Sequence, residues 1–299
     1  MLKLDTNDLV SLLKQTQRKT TIGGKNAPQV CGVKLSNDLE SRSCFSLWIV
    51  KDGVSSLSKF SVPYISWDWD SPSKDIYLPD IDRVLGILKY HGGTLRITQT
   101  NKQDKLHFAS GSKQTTIQTS PDALAFPSSR DTLKVWAEKS KKRSESIVSP
   151  SNVSKGNEKA GYITKDGKTL EAMCSIKVDA LQLFEAFRCG GINGQKSNLF
   201  TFIVGEHGME YLTVEVGGDL KGKTVSSIDI LHWDYGTENL ERFTVSYNGG
   251  LGEAFKHING EVWLHFFDFT EYGQGIAMFI AWGNNFILQA PFEPTKVTA

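Results

Sequence analysis

The sequence predicts an α+β protein of two similar domains, each made of two units in which one short helix is backed by several antiparallel strands. Three observations carry this: an apolar stripe that occurs four times, the even spacing of those stripes, and the strand-like segments that follow them. The first stripe is Leu9, Leu12, Leu13 and Thr16, the i, i+3, i+4, i+7 pattern of one helix face, with Asp5 or Thr6 as its N-cap. The second is Ile81, Val84, Leu85 and Leu88, entered behind Pro79 and Asp80 and closed by Gly92 and Gly93. The pattern returns at Ala180, Leu183, Phe184 and Phe187, and again at Leu251, Ala254, Phe255 and Ile258. Residue 9 to 81 is 72 positions and 180 to 251 is 71, while the two halves repeat at 171 (9 to 180) and 170 (81 to 251).

Strands are expected after each helix. SLWIVKDG follows the first, with a longer irregular stretch to Trp69. TLRITQT (94–100), KLHFASG (105–111) and KQTTIQT (113–119) follow the second, and LFTFIVG and EYLTVEV the third. After the fourth come EVWLHFFDF, GIAMFIAWG and NFILQAP, the last two joined by a Gly-Asn-Asn turn at 283–285. The gap between the second and third helices is 99 residues, about 27 longer than the other two, and its residues 128–160 are Ser/Lys-rich and poor in apolar side chains. The expected domains are therefore 1–127 and 166–299, joined by a connector at 128–165 that carries an insertion. Within it, Leu133, Trp136, Ala137 and Ser140 could line one face of a short helix whose other sides are basic.

The 299 residues carry 34 Lys and Arg against 33 Asp and Glu, so a net charge of +1 excludes a protein that coats nucleic acid by bulk charge. No run approaches the length a bilayer requires, so no membrane association is expected. The amino-terminal MLKLDTNDLVSLLKQTQRK alternates polar with apolar residues and carries acids, unlike a secretory or transit signal, which predicts an intracellular, cytoplasmic location. Cys31, Cys44, Cys174 and Cys189 are widely spaced without a CxxC pair and read as reduced thiols in or near the core. The six histidines show no HExxH or clustered Cys/His spacing, so neither a metal nor a cofactor is expected. The carboxylates of DWDSP (68–72), with Asp229 and Asp234, lack a surrounding catalytic pattern and read as turn and surface acids, so no catalytic residue is assigned.

Two other function classes compete. Gly217 to Thr224 satisfies GxxxxGK[ST], with Lys223 and Thr224 placed to meet phosphates and Mg²⁺. That chemistry requires a helix next, aimed at the anion, and VSSIDI is β-branched and strand-like. A non-enzymatic virion or adhesin protein of repeated β-rich modules is the second alternative.

The co-linear quarters resemble the DNA sliding clamps over nearly the whole chain. MLKLDTNDLVSLLKQ, DIYLPDIDRVLGILKYHGGTLRITQ and TTIQTSPDALAFP are similar to tailed-phage clamps, and FTVSYNGGLGEAFKHINGEVWLHFFDF with FIAWGNNFILQAPFEP is similar to the last quarter of the eukaryotic and archaeal proliferating-cell nuclear antigen family. The resemblance implies a head-to-tail homotrimeric ring that encircles double-stranded DNA without reading its sequence, tethers a replicative polymerase, and is opened by a separate clamp-loader ATPase. It implies helices lining the hole. The DNA-facing candidates are then Lys14, Arg18 and Lys19 at the first helix, Arg83 and Lys89 with Tyr90 at the second, and Lys256 beside Glu253 at the fourth. The third helix offers Gln182 and Glu185, with Arg188 to the side and Lys196 in the following loop. It also implies that strand 113–119 pairs with a neighbour's strand near 210–216. A partner peptide would dock at Leu124, Phe126 and Pro127 on one side and Pro291 and Phe292 on the other.

Overall fold

The computed structural model describes residues 1–16, 19–22, 25–28, 32–39, 42–51, 55–68, 76–78, 80–100, 105–118, 161–163, 169–192, 199–204, 211–218, 222–235, 243–248, 255–268 and 275–289. The chain divides into a first unit, Met1–Trp48 with Lys59–Lys141, and a second, Ile49–Ser58 with Lys142–Ala299.

In the first unit, Leu2 and Leu4 of β1 (Leu2–Asp5) are buried and Lys3 and Asp5 are half-buried, the alternation of a strand with one covered face. Helix α1 (Thr6–Thr16) follows at once, because the Asp5 carboxylate accepts the Asn7 N–H at 2.8 Å and so caps it. Asp5, not Thr6, is thus the cap. The Thr6 hydroxyl instead donates to the Gly93 carbonyl at 2.8 Å. Leu9, Leu12, Leu13 and Thr16 are all buried, as the stripe predicts. Next come β2 (Lys19–Ile22), β3 (Lys25–Pro28), β4 (Val33–Asp38), β5 (Ser43–Lys51), β6 (Ser55–Pro63), β7 (Ser66–Trp67) and β8 (Ile76–Leu78), of which the end of β5 from Ile49 and the start of β6 to Ser58 belong to the second unit. Helix α2 (Ile81–Leu88) is capped by Asp80, whose Oδ1 accepts the Arg83 N–H at 3.0 Å. It buries Ile81, Val84 and Leu88, half-buries Leu85, and lies against α1.

Strands β9 (Thr94–Gln99), β10 (Lys105–Ser110) and β11 (Lys113–Gln118) complete a five-stranded antiparallel sheet in the order β11-β10-β9-β1-β7. Its register sets Leu2 opposite Ile97 and Ile97 opposite Phe108, a row of fully buried side chains crossing three strands. Burying each such side chain contributes about 1.5–3 kcal/mol. Gly111, at φ +53°, opens the two-residue turn between β10 and β11.

The second unit contains β12 (Gly161–Ile163), β13 (Thr169–Glu171), β14 (Cys174–Asp179), α3 (Ala180–Ile192), β15 (Leu199–Val204), β16 (Tyr211–Gly218), β17 (Gly222–Tyr235), β18 (Phe243–Asn248), β19 (Glu261–Asp268), β20 (Ile276–Trp282) and β21 (Asn285–Gln289). The strands from β14 to β21 are ordered β18-β15-β16-β17-β14-β19-β20-β21, all antiparallel. Ile176, Leu264, Ile280 and Ile287 stand opposite one another across four strands, each fully buried. Helix α3, capped by Asp179, buries Ala180, Leu183, Ala186 and Phe187, and half-buries Phe184. Of the fourth stripe, Leu251 and Ala254 lie outside the described residues; Phe255 and Ile258 are buried, and Phe255 packs on Phe187 with ring centroids 5.3 Å apart.

The halves repeat at the level of hydrogen bonds, in a register one helical turn from that of the stripes. Thr6 N–H donates to the Gly93 carbonyl at 3.0 Å, and Ala180 N–H to the Gly260 carbonyl at 2.9 Å. His91 N–H reaches the Leu88 carbonyl and Ile258 N–H the Phe255 carbonyl, both at 3.1 Å. Ala180 therefore answers to Thr6 rather than Leu9, Phe255 to Leu88, and Ile258 to His91. A stripe of helical period looks nearly the same after a one-turn shift, and only the caps and the closing glycines break that degeneracy.

Candidate nucleic-acid interface and subunit edges

The candidate cations lie on helix sides turned away from the core. Lys14 sits in the last turn of α1, opposite the buried leucines, and is exposed. Arg83 and Lys89 are exposed on α2 and at its C-cap, beside Tyr90, which is also exposed. Because α1 and α2 lie together, one helix pair carries these three cations. In the second unit Arg188 and Lys256 are exposed, and each directly follows a ring of the buried Phe187–Phe255 contact. Gln182 and Glu185 are exposed on α3 as well, so its outward face is close to neutral. Arg18 and Lys196, the side chain of Lys19, and Leu124, Phe126, Pro127, Pro291 and Phe292 lie outside the described residues.

Among the described residues, none of Lys14, Arg83, Lys89, Arg188 and Lys256 has an ion-pair partner, whereas Lys59 pairs with Asp38 at 3.0 Å and Lys177 with Glu261. Exposed cations on strands, Lys105 and Lys113 among them, likewise have no ion-pair partner among the described residues, so what sets the candidates apart is their place on the helices. Unmatched, exposed lysine and arginine bind phosphate oxygens through long-range charge and without base readout.

The sheet edges correct one expectation. Among the described residues strand β11 is terminal in its sheet, paired with β10 alone, as an inter-subunit strand requires. Strand β16, holding most of the segment near 210–216, is not: it pairs with β15 on one side and β17 on the other. Its strand-like composition could not reveal whether it was interior. The terminal strand on the β15 side of that sheet, among the described residues, is β18, paired with β15.

The phosphate-loop alternative fails on the same register. Gly217 pairs with Lys223 and Gly218 with Gly222, so both ends of the segment belong to the paired strands β16 and β17, and the 14-residue strand β17 follows where a helix is required. Among the described residues there is no group of three or more His, Cys, Asp or Glu side chains arranged to hold a metal, and no helix long and apolar enough to cross a membrane. Cys44 and Cys174 are buried and in no disulfide among the described residues, and burial pushes the Cys44 thiol up to about 12. Cys31 lies outside the described residues, as does the side chain of Cys189.

One residue escaped the sequence reading. His91, between α2 and the Gly92–Gly93 pair, is buried, with Nδ1 2.8 Å from the Ser110 hydroxyl and Nε2 3.1 Å from the Thr115 hydroxyl. Burial first, and Lys113 second, lower its pKa, favouring the neutral ring. A histidine directly before the glycines that close a helix was the available signal.

Comparison with solved structures places the fold. The chain is similar to PCNA of A. fulgidus, solved with the C-terminal region of FEN-1 bound, at a TM-score of 0.59 and 13% identity, covering 100% of both chains. It is similar to PCNA of Thermococcus kodakaraensis (TM-score 0.57, 13% identity, 97% of this chain and 98% of that one). The DNA polymerase sliding clamp of Bacillus subtilis matches at a TM-score of 0.58 and 13% identity over 97% of this chain and 63% of its own. No protein-family profile and no curated sequence matches the chain. With similarity spread over its full length at such low identity, the chain has the sliding-clamp fold.

Proposed function

We propose that the chain is a polymerase sliding clamp, a non-enzymatic ring that encircles duplex DNA and tethers a replicative polymerase after a loader ATPase has closed it. The observation that carries this reading is the set of unmatched, exposed cations on the helices of a clamp fold, Lys14, Arg83 and Lys89 above all. Near-neutral total charge fits the role, since a ring held by topology must slide and gains nothing from tight phosphate binding. Arg18, Lys19, Arg188, Lys196 and Lys256 complete the proposed lining.

Three copies close the ring in this reading, which the full-length match to archaeal PCNA chains favours. The closing contact is β11 of one copy against β18 of the next. Residues 1–127 and 166–299 act as the two clamp domains of each copy, and the 128–165 connector joins them. Client peptides dock at Leu124, Phe126 and Pro127 together with Pro291 and Phe292. The ring works in the cytoplasm, that of an infected host if the protein is viral, as the local similarity to tailed-phage clamps suggests.

Simultaneous reversal of Lys14, Arg18 and Arg83 to Glu is expected to lower loader-dependent processive synthesis by about tenfold or more, since each change replaces a phosphate contact with a repulsion. The same reversal leaves ring assembly, seen by negative-stain microscopy, unchanged. Unaltered synthesis in the triple variant would sink the assignment of the lining, and a wild-type chain seen only as isolated globules would sink the clamp reading itself.

A further inference from the structure

Building on the clamp reading, we propose that His91 is a positioning residue that holds strand β11 straight for pairing with a second copy of this chain. A terminal strand has a ladder on one side only and is tied down otherwise by what it buries. Strand β11 buries little. Ile117 is its one buried side chain; Lys113, Gln114, Thr116 and Gln118 are exposed and Thr115 is half-buried. The contact of His107 Nδ1 with the Thr116 hydroxyl, 2.8 Å, lies on the exposed face.

His91 supplies the missing anchor on the buried face. Ser110 stands opposite Lys113 and Phe108 opposite Thr115, so the two hydroxyls that His91 reaches lie on either side of the Gly111–Ser112 turn and on one face of the hairpin. One imidazole therefore spans both strands near the tip. A neutral ring offers one donor and one acceptor, and a hydroxyl serves in either role, so both contacts are satisfied in either tautomer. The residue is itself fixed: its N–H donates to the Leu88 carbonyl at 3.1 Å, and Gly93, two positions on, accepts from both the N–H and the hydroxyl of Thr6. The strand that closes the ring is thereby braced against the start of α1 and the end of α2, the helices that carry Lys14, Arg83 and Lys89. At the corresponding place in the second unit stands Ile258, which cannot make such a bridge.

The test uses the full chain and two variants, His91→Ala and the double change Ser110→Ala with Thr115→Val, which removes both partners and leaves the ring in place. Amide hydrogen exchange is followed at a dilution where the chain is monomeric, and self-association is measured by sedimentation. Exchange over 113–118 is expected to quicken roughly tenfold in both variants while the amides of α2 and β9 keep their protection, with self-association weakened by a similar factor. Unchanged exchange over 113–118, or faster exchange with undiminished self-association, overturns the role of His91. A wild-type chain that never self-associates overturns the clamp reading beneath it, a result distinct from a wild-type ring whose variants behave normally.

Discussion

The junction at Gly93 in the first unit and the junction at Gly260 in the second are made of the same bonds and carry different cargo. In both, an aspartate caps the unit's leading helix, and that helix's first N–H reaches the carbonyl of a glycine with positive φ, +63° at Gly93 and +83° at Gly260. The side chains then diverge. The first unit places a histidine at the helix end and unmatched cations on both helices, whereas the second places Ile258 there and a nearly neutral face on α3. Duplication preserves what the backbone requires, because a lost cap or a blocked turn costs stability wherever it occurs. Exposed faces and spare hydroxyl contacts are free to specialise. The first unit has done so toward charge, the second toward a more deeply buried sheet.

That depth supplies the largest expected difference. His265 of β19 is 1% exposed, with Nδ1 2.8 Å from the Ser175 hydroxyl and, among the described residues, no hydrogen-bond partner for Nε2. Its ring is stacked on Trp263 at 5.7 Å and on Phe279 at 6.0 Å. Burial pushes its pKa down from 6.5 to about 3. Between these values the unfolded chain binds a proton that the folded one refuses, so stability rises with pH across this window and is lost as pH falls from about 6.5. The loss reaches about 1.4 kcal/mol per pH unit for this one group. In urea titrations from pH 7 to 4, the second unit is expected to weaken along that slope. Replacing Ser175 with Ala and His265 with Leu together should flatten it by close to one proton. A slope that survives the double change would show that the acid sensitivity arises elsewhere, and the contrast between the units would lose its main support.

The comparison also explains what could be read in the chain before its fold was known. Apolar period gave the helix faces and the strands that follow the second and fourth helices, because burying Leu9, Leu12 and Leu13 on one side is a local consequence of periodicity; the strands that lead into helices, β1 and β14, escaped the sequence reading. Exposed cations followed by exclusion, as residues off the stripe. Pairing did not. Nothing local in EYLTVEV says that it is flanked by strands on both sides, and nothing in a helical stripe separates Thr6 from Leu9 as the counterpart of Ala180. His91 was hidden for a related reason: its meaning depends on Ser110 and Thr115, 19 and 24 positions away, which only the hairpin returns to it.

The glycines offer a smaller and sharper contrast. A Cβ built on Gly93 or on Gly260 meets nothing within 4 Å, so replacement by Ala costs only the backbone strain of positive φ. The +63° of Gly93 falls within the left-handed well that other residues visit, while the +83° of Gly260 lies beyond its usual limit. Gly93→Ala is expected to cost about 1 kcal/mol and Gly260→Ala about 2 kcal/mol in urea denaturation. Asn, which tolerates the left-handed well, should recover much of the loss at 93 and little at 260. Equal costs at both sites would mean that the junctions relax to a common geometry and that their difference in φ carries no energetic weight.

The caps should give the smallest effects, and their order is the informative part. Asp179 accepts two N–H groups, from Leu181 at 2.9 Å and Gln182 at 3.0 Å, while Asp5 accepts one, from Asn7 at 2.8 Å. Removing a cap typically costs about 1 kcal/mol. Asp5 carries an added burden, because Asp8, whose carboxyl is raised first by burial and then by the Asp5 charge, stands one turn along the same helix. Truncating Asp5 therefore loses a hydrogen bond and relieves a repulsion, so Asp5→Ala should cost less than Asp179→Ala. The amide substitutions separate the two terms. Asp5→Asn keeps an acceptor, gives up about 0.3–1 kcal/mol of attraction to the helix N-terminus and removes the repulsion, leaving stability at pH 7 nearly unchanged. Opposite Asp179 across the β14–β19 ladder stands Glu261, whose charge is met by Lys177, so Asp179→Asn relieves less repulsion and should lose more of that attraction. If Asp5→Asn proves the more damaging of the two in urea denaturation, the charge of Asp5 stabilises α1 despite Asp8, and the repulsion is negligible in the folded chain.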